Sequence, residues 1–340
     1  MSIQETQDIL DPDLPICDAH HHLWDRPGSR YLLDEFLADV EGGHRIQSTV
    51  YIDCGSMYRQ NGPPKLAPVG ETEFADGIAV QSGQRPGLPG LCAGIVGFAD
   101  LNLGHEVGEV LDAHIAVSSR FKGIRHCAAW DPSDRIVNAH TNPFQHMMAS
   151  APFRQGFFEL AKRNLSFDAW VFHPQIPEVT DLARAFPGTT IVLDHMGGPL
   201  GIGPYAGQRQ EVFAAWKISM EKLAECPNVA VKLGGIQMPL NGWGLHKQPS
   251  PPDSRQIVAL TREFYFHAID CFGVRRCMFE SNYPADKPSV PYNTLWNAFK
   301  RMTLGFSPGD RSALFHDNAA RIYRLEPTAV NTDQSTATDG

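Results

Sequence analysis

From end to end the chain alternates short runs of β-branched and other apolar residues with longer stretches of helical spacing. Eight runs read as strands: residues 15–20, 46–54, 91–99, 120–127, 165–172, 189–194, 228–234 and 275–280. Several, such as T-T-I-V-L-D and N-V-A-V-K-L-G, are nearly uninterrupted, the pattern of a parallel strand buried on both faces. Helical periodicity marks 153–163, 177–186, 209–225, 256–271 and 291–304; in 209–225, Val212, Phe213, Trp216, Met220 and Leu223 form one apolar stripe. Eight strands, mostly followed by helices, predict an α/β fold, a single (β/α)₈ barrel rather than an open doubly wound sheet. The barrel domain is expected over 1–326. Residues 327–340, small and polar, read as a disordered tail. Between 55 and 90, G-P-P, P-V-G and R-P-G-L-P-G predict a long loop after the second strand, lying over the carboxyl face of the barrel.

Charge narrows the function. With 29 Lys and Arg against 38 Asp and Glu, the net charge is −9, which argues against nucleic acid or an anionic membrane as partner. There is no apolar run of bilayer length and no apolar core of a secretory signal near the start. The seven cysteines are scattered without a C-x-x-C, which reads as buried free thiols in the cytoplasm. The expected partner is a small acidic molecule, and a homo-oligomer is left open.

The strongest local signal is I-C-D-A-H-H-H-L-W-D, residues 16–25. Strand alternation puts His20 and His22 on one face with Asp18 and turns His21 the other way. Two imidazoles at i and i+2 bind one divalent ion, or orient and deprotonate a water. His173 follows L-S-F-D-A-W-V-F and His195 follows T-T-I-V-L-D, so both are expected where strands end. A lone strand-end histidine is more often a structural hydrogen-bonding group than a ligand; convergence on the face of His20 and His22 reverses that preference. Arg125 ends F-K-G-I-R-H, and an arginine in a barrel mouth needs an anion, either a substrate acid group or a neighbouring carboxylate. Lys232, inside V-A-V-K-L-G-G, either pairs with Glu280 or Asp18 or holds substrate. Gly234 and Gly235 allow a close backbone approach.

Taken in order, D-A-H-H-H-L-W-D (18–25), V-Y-I-D-C-G-S-M-Y-R (50–59), F-K-G-I-R-H (121–126), F-H-P-Q-I-P-E (172–178), L-D-H-M-G-G-P (193–199) and M-F-E-S-N-Y-P-A-D (278–286) resemble the amidohydrolase superfamily, in its lactonase-like amidohydrolase 2 group. The resemblance covers roughly residues 14 to 324. It implies a TIM barrel and hydrolysis of a lactone bearing carboxylates or hydroxyls. His20 and His22 match the group's H-x-H pair, His173 and His195 its later histidines, and Arg125 a substrate-anion arginine. These four histidines are the expected ligands of one divalent ion, zinc or manganese. Where many members end strand eight with a metal-binding aspartate, this chain has Asn282. An amide is a poor base and a weak ligand, so Asp286 is the alternative base to His195, and catalysis without metal stays open. His173, Asn282, Arg125 and Lys232 are the expected substrate contacts.

The expected reaction is therefore hydrolytic opening of a cyclic ester of an acidic molecule, with His20 and His22 holding the water. Two rivals remain. One is a metal-dependent decarboxylase of an aromatic acid, which would release carbon dioxide; the other is a non-catalytic acid-binding barrel, which would bind without turnover.

Overall fold

A computed structural model describes residues 8–85 and 87–326. Eight parallel strands follow one another in chain order: β1 (Ile16–His21), β2 (Ile46–Ile52), β3 (Gly90–Gly97), β4 (Phe121–Arg125), β5 (Ser166–Ala169), β6 (Ile191–Leu193), β7 (Val229–Leu233) and β8 (Cys277–Phe279). Just beyond β8 the ring closes on β1. Asn282 N–H donates to His20 O at 2.9 Å and His22 N–H to Tyr283 O at 2.7 Å, forming a parallel bridge between His21 and Tyr283. The helices α1 (Leu33–Val40), α2 (Val69–Gly83), α3 (Val107–Val117), α4 (Ala151–Lys162), α5 (Ile176–Ala185), α6 (Arg209–Ala224), α7 (Ser254–Phe272) and α8 (Tyr292–Met302) each follow one strand. The chain is the expected (β/α)₈ barrel.

Alternation sorts the strand residues into two cores. Cys17, Ala19, Val50, Ile52, Val96, Val192, Ala230 and Met278 form one cluster inside the ring, with Tyr323 from the C-terminal segment beneath them. The opposite faces of the strands pack against helices in a larger cluster, and burial on both sides accounts for the continuous apolar runs. In α6, Val212, Trp216, Met220 and Leu223 are buried while Phe213 is only partly so.

Two expectations are corrected. Residues 55–90 are not one long loop. A short 3₁₀ turn (Pro64–Leu66) leads into the fifteen-residue α2, which packs on β3. In α2 the buried set includes Gly70, Glu71, Thr72 and Ser82, so polar and small residues hide the apolar stripe that a periodicity argument requires. The second correction concerns β1. Asp18 pairs with Thr49 and His21 with Tyr51, three residues against two, so a β-bulge lies between them. The bulge rephases the strand: Asp18 points outward, accepting from Tyr292 Oη at 2.9 Å and Ser281 N at 2.8 Å, while His20 and His22 turn inward. Asp18 therefore does not share their face. The expected disordered tail, 327–340, lies outside the described residues.

Candidate active site

Above the apolar interior, the next inward positions at the carboxyl ends of the strands are polar. They are His20 and His22 (β1), Arg125 (β4), Asp168 (β5), Asp194 and His195 (after β6), Lys232 (β7) and Glu280 (after β8). All eight are buried. Arrays like this survive only when each charge has a counter-charge and hydrogen bonds. Lys232 Nζ donates to Asp168 Oδ2 at 2.6 Å and lies 3.0 Å from Asp194 Oδ1 and 3.2 Å from His20 Nδ1. Burial works against its charge, but Asp168 and Asp194 outweigh it and keep the ammonium protonated. Asp168, which also accepts from Tyr323 Oη at 2.6 Å, is pushed up to about 6 by burial.

The imidazoles are oriented from behind. His22 Nδ1 is 2.8 Å from Ile52 O, and because a carbonyl only accepts, Nδ1 carries the proton and Nε2 the lone pair. His195 Nδ1 donates to Glu280 Oε1 at 2.7 Å, and Glu280 Oε2 lies 2.9 Å from His20 Nδ1. Burial raises the Glu280 carboxyl, but the two imidazoles beside it hold it below the usual range. Burial, aided by Lys232 for His20 and by Arg125 for His22, keeps both imidazoles neutral, well below their ordinary value. His20 Nε2 and His22 Nε2 face each other at 3.1 Å.

That donor set fits a divalent cation. One ligand atom from each of His20, Asp194 and His195 lies within 4.8 Å of the others, His22 Nε2 stands 3.1 Å from His20 Nε2, and Asp194 Oδ2 is buried without a hydrogen-bond donor. Imidazoles held at Nδ1 by an acceptor, as His22 and His195 are, have the arrangement that orients metal ligands.

A cavity of about 170 Å³ opens onto this layer, with His22, Arg26, Arg125, His140, Trp170, His195, Met238 and Asn282 in its wall. His195 reaches it through a left-handed turn, φ 53° at His195 and 51° at Met196, and Trp170 packs edge-on against its ring at 4.7 Å. Gly235 makes room, since a Cβ there would overlap His195 Nδ1; Gly234 likewise leaves space for Glu280.

The sequence-derived candidates fall into two groups. His22, His195, Arg125 and Asn282 line the cavity, with His20 buried directly behind, against His22 and Arg125. Asn282 sits at φ 55° in the cavity wall. Lys232 lies beneath the histidines, committed to Asp168 and Asp194, and is not in the cavity wall. His173 stands apart: its Nδ1 accepts from Leu200 N at 3.3 Å and its ring packs on Tyr205. Asp286 is fully buried outside the wall, and burial, with Glu280 nearby, raises its carboxyl well above the usual range, so it is protonated. His21 faces outward, stacked on Phe36 with Thr49 Oγ1 at 2.9 Å. Asp168, Asp194, Arg26, His140 and Trp170 were not singled out from the sequence. The signal for the two aspartates was a lone carboxylate in or ending an apolar run.

Comparison with known proteins agrees with this geometry. The family profile described as "Amidohydrolase" matches residues 17–325. The chain belongs to the amidohydrolase family. It is similar to the uncharacterized protein y4mH of Sinorhizobium fredii, 35% identical over 341 residues, covering 92% of this chain and 99% of that protein. An L-fucono-1,5-lactonase of Burkholderia ambifaria is 26% identical over 328 residues, covering 91% of this chain and 95% of that protein. Among solved structures, an amidohydrolase from Burkholderia multivorans with bound zinc superposes with a TM-score of 0.69 at 23% identity, covering 92% and 99% of the two chains. At that identity the likeness speaks to the fold. This amidohydrolase is thus an enzyme of the hydrolase type, and among its described residues no helix is long and apolar enough to cross a membrane.

Two predictions follow from the packing of the site. Lys232→Met leaves Asp168 and Asp194 uncompensated and lowers stability by ~3–5 kcal/mol near neutral pH. The folded carboxyl of Asp168 already lies near 6 against an ordinary 3.8, and the variant raises it further. Relative to wild type, the Asp168 share of that deficit is full above the variant's raised pKa and is gone once pH falls to about 6, where the wild-type carboxyl itself takes up a proton. Denaturant melts across that range should show the deficit shrinking; a pH-independent deficit would contradict the assignment. Gly235→Ala should displace His195 from Glu280, costing about 1–2 kcal/mol through its left-handed backbone but roughly a hundredfold in turnover. Matched melting and rate measurements check the disproportion.

Proposed function

We propose that this amidohydrolase opens the lactone ring of a small acidic molecule. The observation that carries the reading is the His195–Glu280 pair: an imidazole whose Nδ1 is held by a buried carboxylate at 2.7 Å and whose ring lines the cavity. This is the arrangement of a general base with its orienting partner. As a water oxygen bonds to the lactone carbonyl carbon, His195 Nε2 takes its proton. Glu280 steadies the imidazolium meanwhile. The ring C–O bond then breaks, and the same imidazolium returns the proton to the departing alkoxide. The new acid group loses its own proton to solution, so each turnover releases one.

Arg125 stands in the wall with its Nε unpartnered and would take the anionic group of the substrate. Asn282, in the same wall, adds a side-chain amide. Asp286, as a neutral acid away from the cavity, is a poor base, which favours His195. A divalent ion would be held by His20, Asp194 and His195, and would itself polarise the carbonyl and acidify water in place of the imidazole base. An ester carbonyl needs only modest polarisation, and the similarity to an L-fucono-1,5-lactonase points to the same bond type.

A panel of lactones, followed by proton release and product analysis, tests this. The wild type should give a hydroxy acid and one proton per turnover. His195→Asn should lose roughly a hundred- to ten-thousand-fold in kcat. Carbon dioxide evolved from aromatic acids, with no lactone opened, would instead establish the decarboxylase reading.

A further inference from the structure

In a chain with nine excess negative charges, the cavity wall holds two arginines, Arg26 and Arg125, and no carboxylate. The two guanidiniums hang from consecutive carbonyls. Arg125 Nη2 donates to Asp53 O, and Arg26 Nη2 donates to Cys54 O at 2.7 Å. Two like charges in one cavity wall that itself carries no acid group favour an anion between them. Neither has such a partner within hydrogen-bonding distance. The carboxylate oxygens nearest Arg125 are 3.7 Å (Asp194) and 3.9 Å (Asp53) away, and Arg26 makes no ion pair among the described residues. Arg125 is buried, yet its Nε has no acceptor.

Arg26 is nonetheless held in place. Its guanidinium lies 4.3 Å over the Trp24 ring, Trp24 Nε1 donates to Ser29 Oγ at 3.0 Å across the small hairpin Trp24–Arg26/Ser29–Tyr31, and Trp24 stacks on His22. Position is thereby transmitted from the imidazole at the floor to the cation at the mouth. A guanidinium fixed by stacking and one hydrogen bond loses little entropy when it takes up an acid group.

We propose that Arg26 is a specificity-determining residue, forming with Arg125 a two-guanidinium clamp that selects substrates bearing a carboxylate beside the scissile ester. The inference rests on the lactonase reading but can fail separately from it. Its substrate test compares γ-butyrolactone with its γ-carboxylate, in wild type and Arg26→Gln. The preference for the acid over the neutral lactone, as a ratio of kcat/KM, should fall roughly ten- to a hundredfold, carried mainly by KM for the acid. An unchanged ratio overturns the clamp. Calorimetric binding of glutarate, which cannot turn over, gives the independent readout, with at least roughly tenfold weaker binding expected in Arg26→Gln. If neither lactone is opened while glutarate binding depends on Arg26, the lactonase reading fails and the clamp stands. If glutarate binds both proteins equally, the clamp falls whatever the activity. Because Arg26 is exposed, an unchanged melting temperature establishes that the variant is folded.

Discussion

The site depends on one buried ammonium. Lys232 stands under the histidines with Asp168 at 2.6 Å and Asp194 at 3.0 Å, and everything above it is arranged around that pairing. Its charge lets two carboxylates exist inside the barrel, and at 3.2 Å it opposes protonation of His20. Arg125 does the same for His22 from the other side. The result is a floor of neutral imidazoles above ionised acids; burial alone would favour the neutral imidazoles but would protonate the acids. Such a layer contributes little net stability, since desolvation consumes most of the attraction. Its value lies in fixing where lone pairs point.

Backbone geometry supplies the rest of the precision. The bulge in β1 turns two nearby histidines onto the inner face, and the left-handed turn after β6 carries His195 to Glu280. Gly234 and Gly235 leave the space that Glu280 and His195 occupy. The closing contacts between β8 and β1 join Asn282 to the His20 carbonyl, so ring closure and site assembly are one event.

The strands were legible in the sequence because burial on both faces leaves a continuous apolar run. The same logic failed for α2, whose buried face includes Glu71, Thr72 and Ser82. His20, His22 and His195 were readable as polar residues where apolar strands stop. His173 looked equivalent, but β5 ends at Ala169, so four further residues carry it to Leu200 and Tyr205. The bulge was invisible, since one extra residue in a strand alters no local pattern. Asp168 and Asp194 were hidden for a related reason: a single carboxylate in or ending an apolar run gains its meaning only from the lysine opposite.

The central claim is that the protein holds its floor imidazoles neutral, with the lone pair of His22 on Nε2. Nitrogen-15 NMR of the histidine side chains, assigned through His22→Gln, reads this directly in metal-free protein. The account predicts that His22 near neutral pH is neutral, protonated on Nδ1 and bare on Nε2, as its contact with Ile52 O requires. An imidazolium, or a proton on Nε2 with Nδ1 bare, would contradict it.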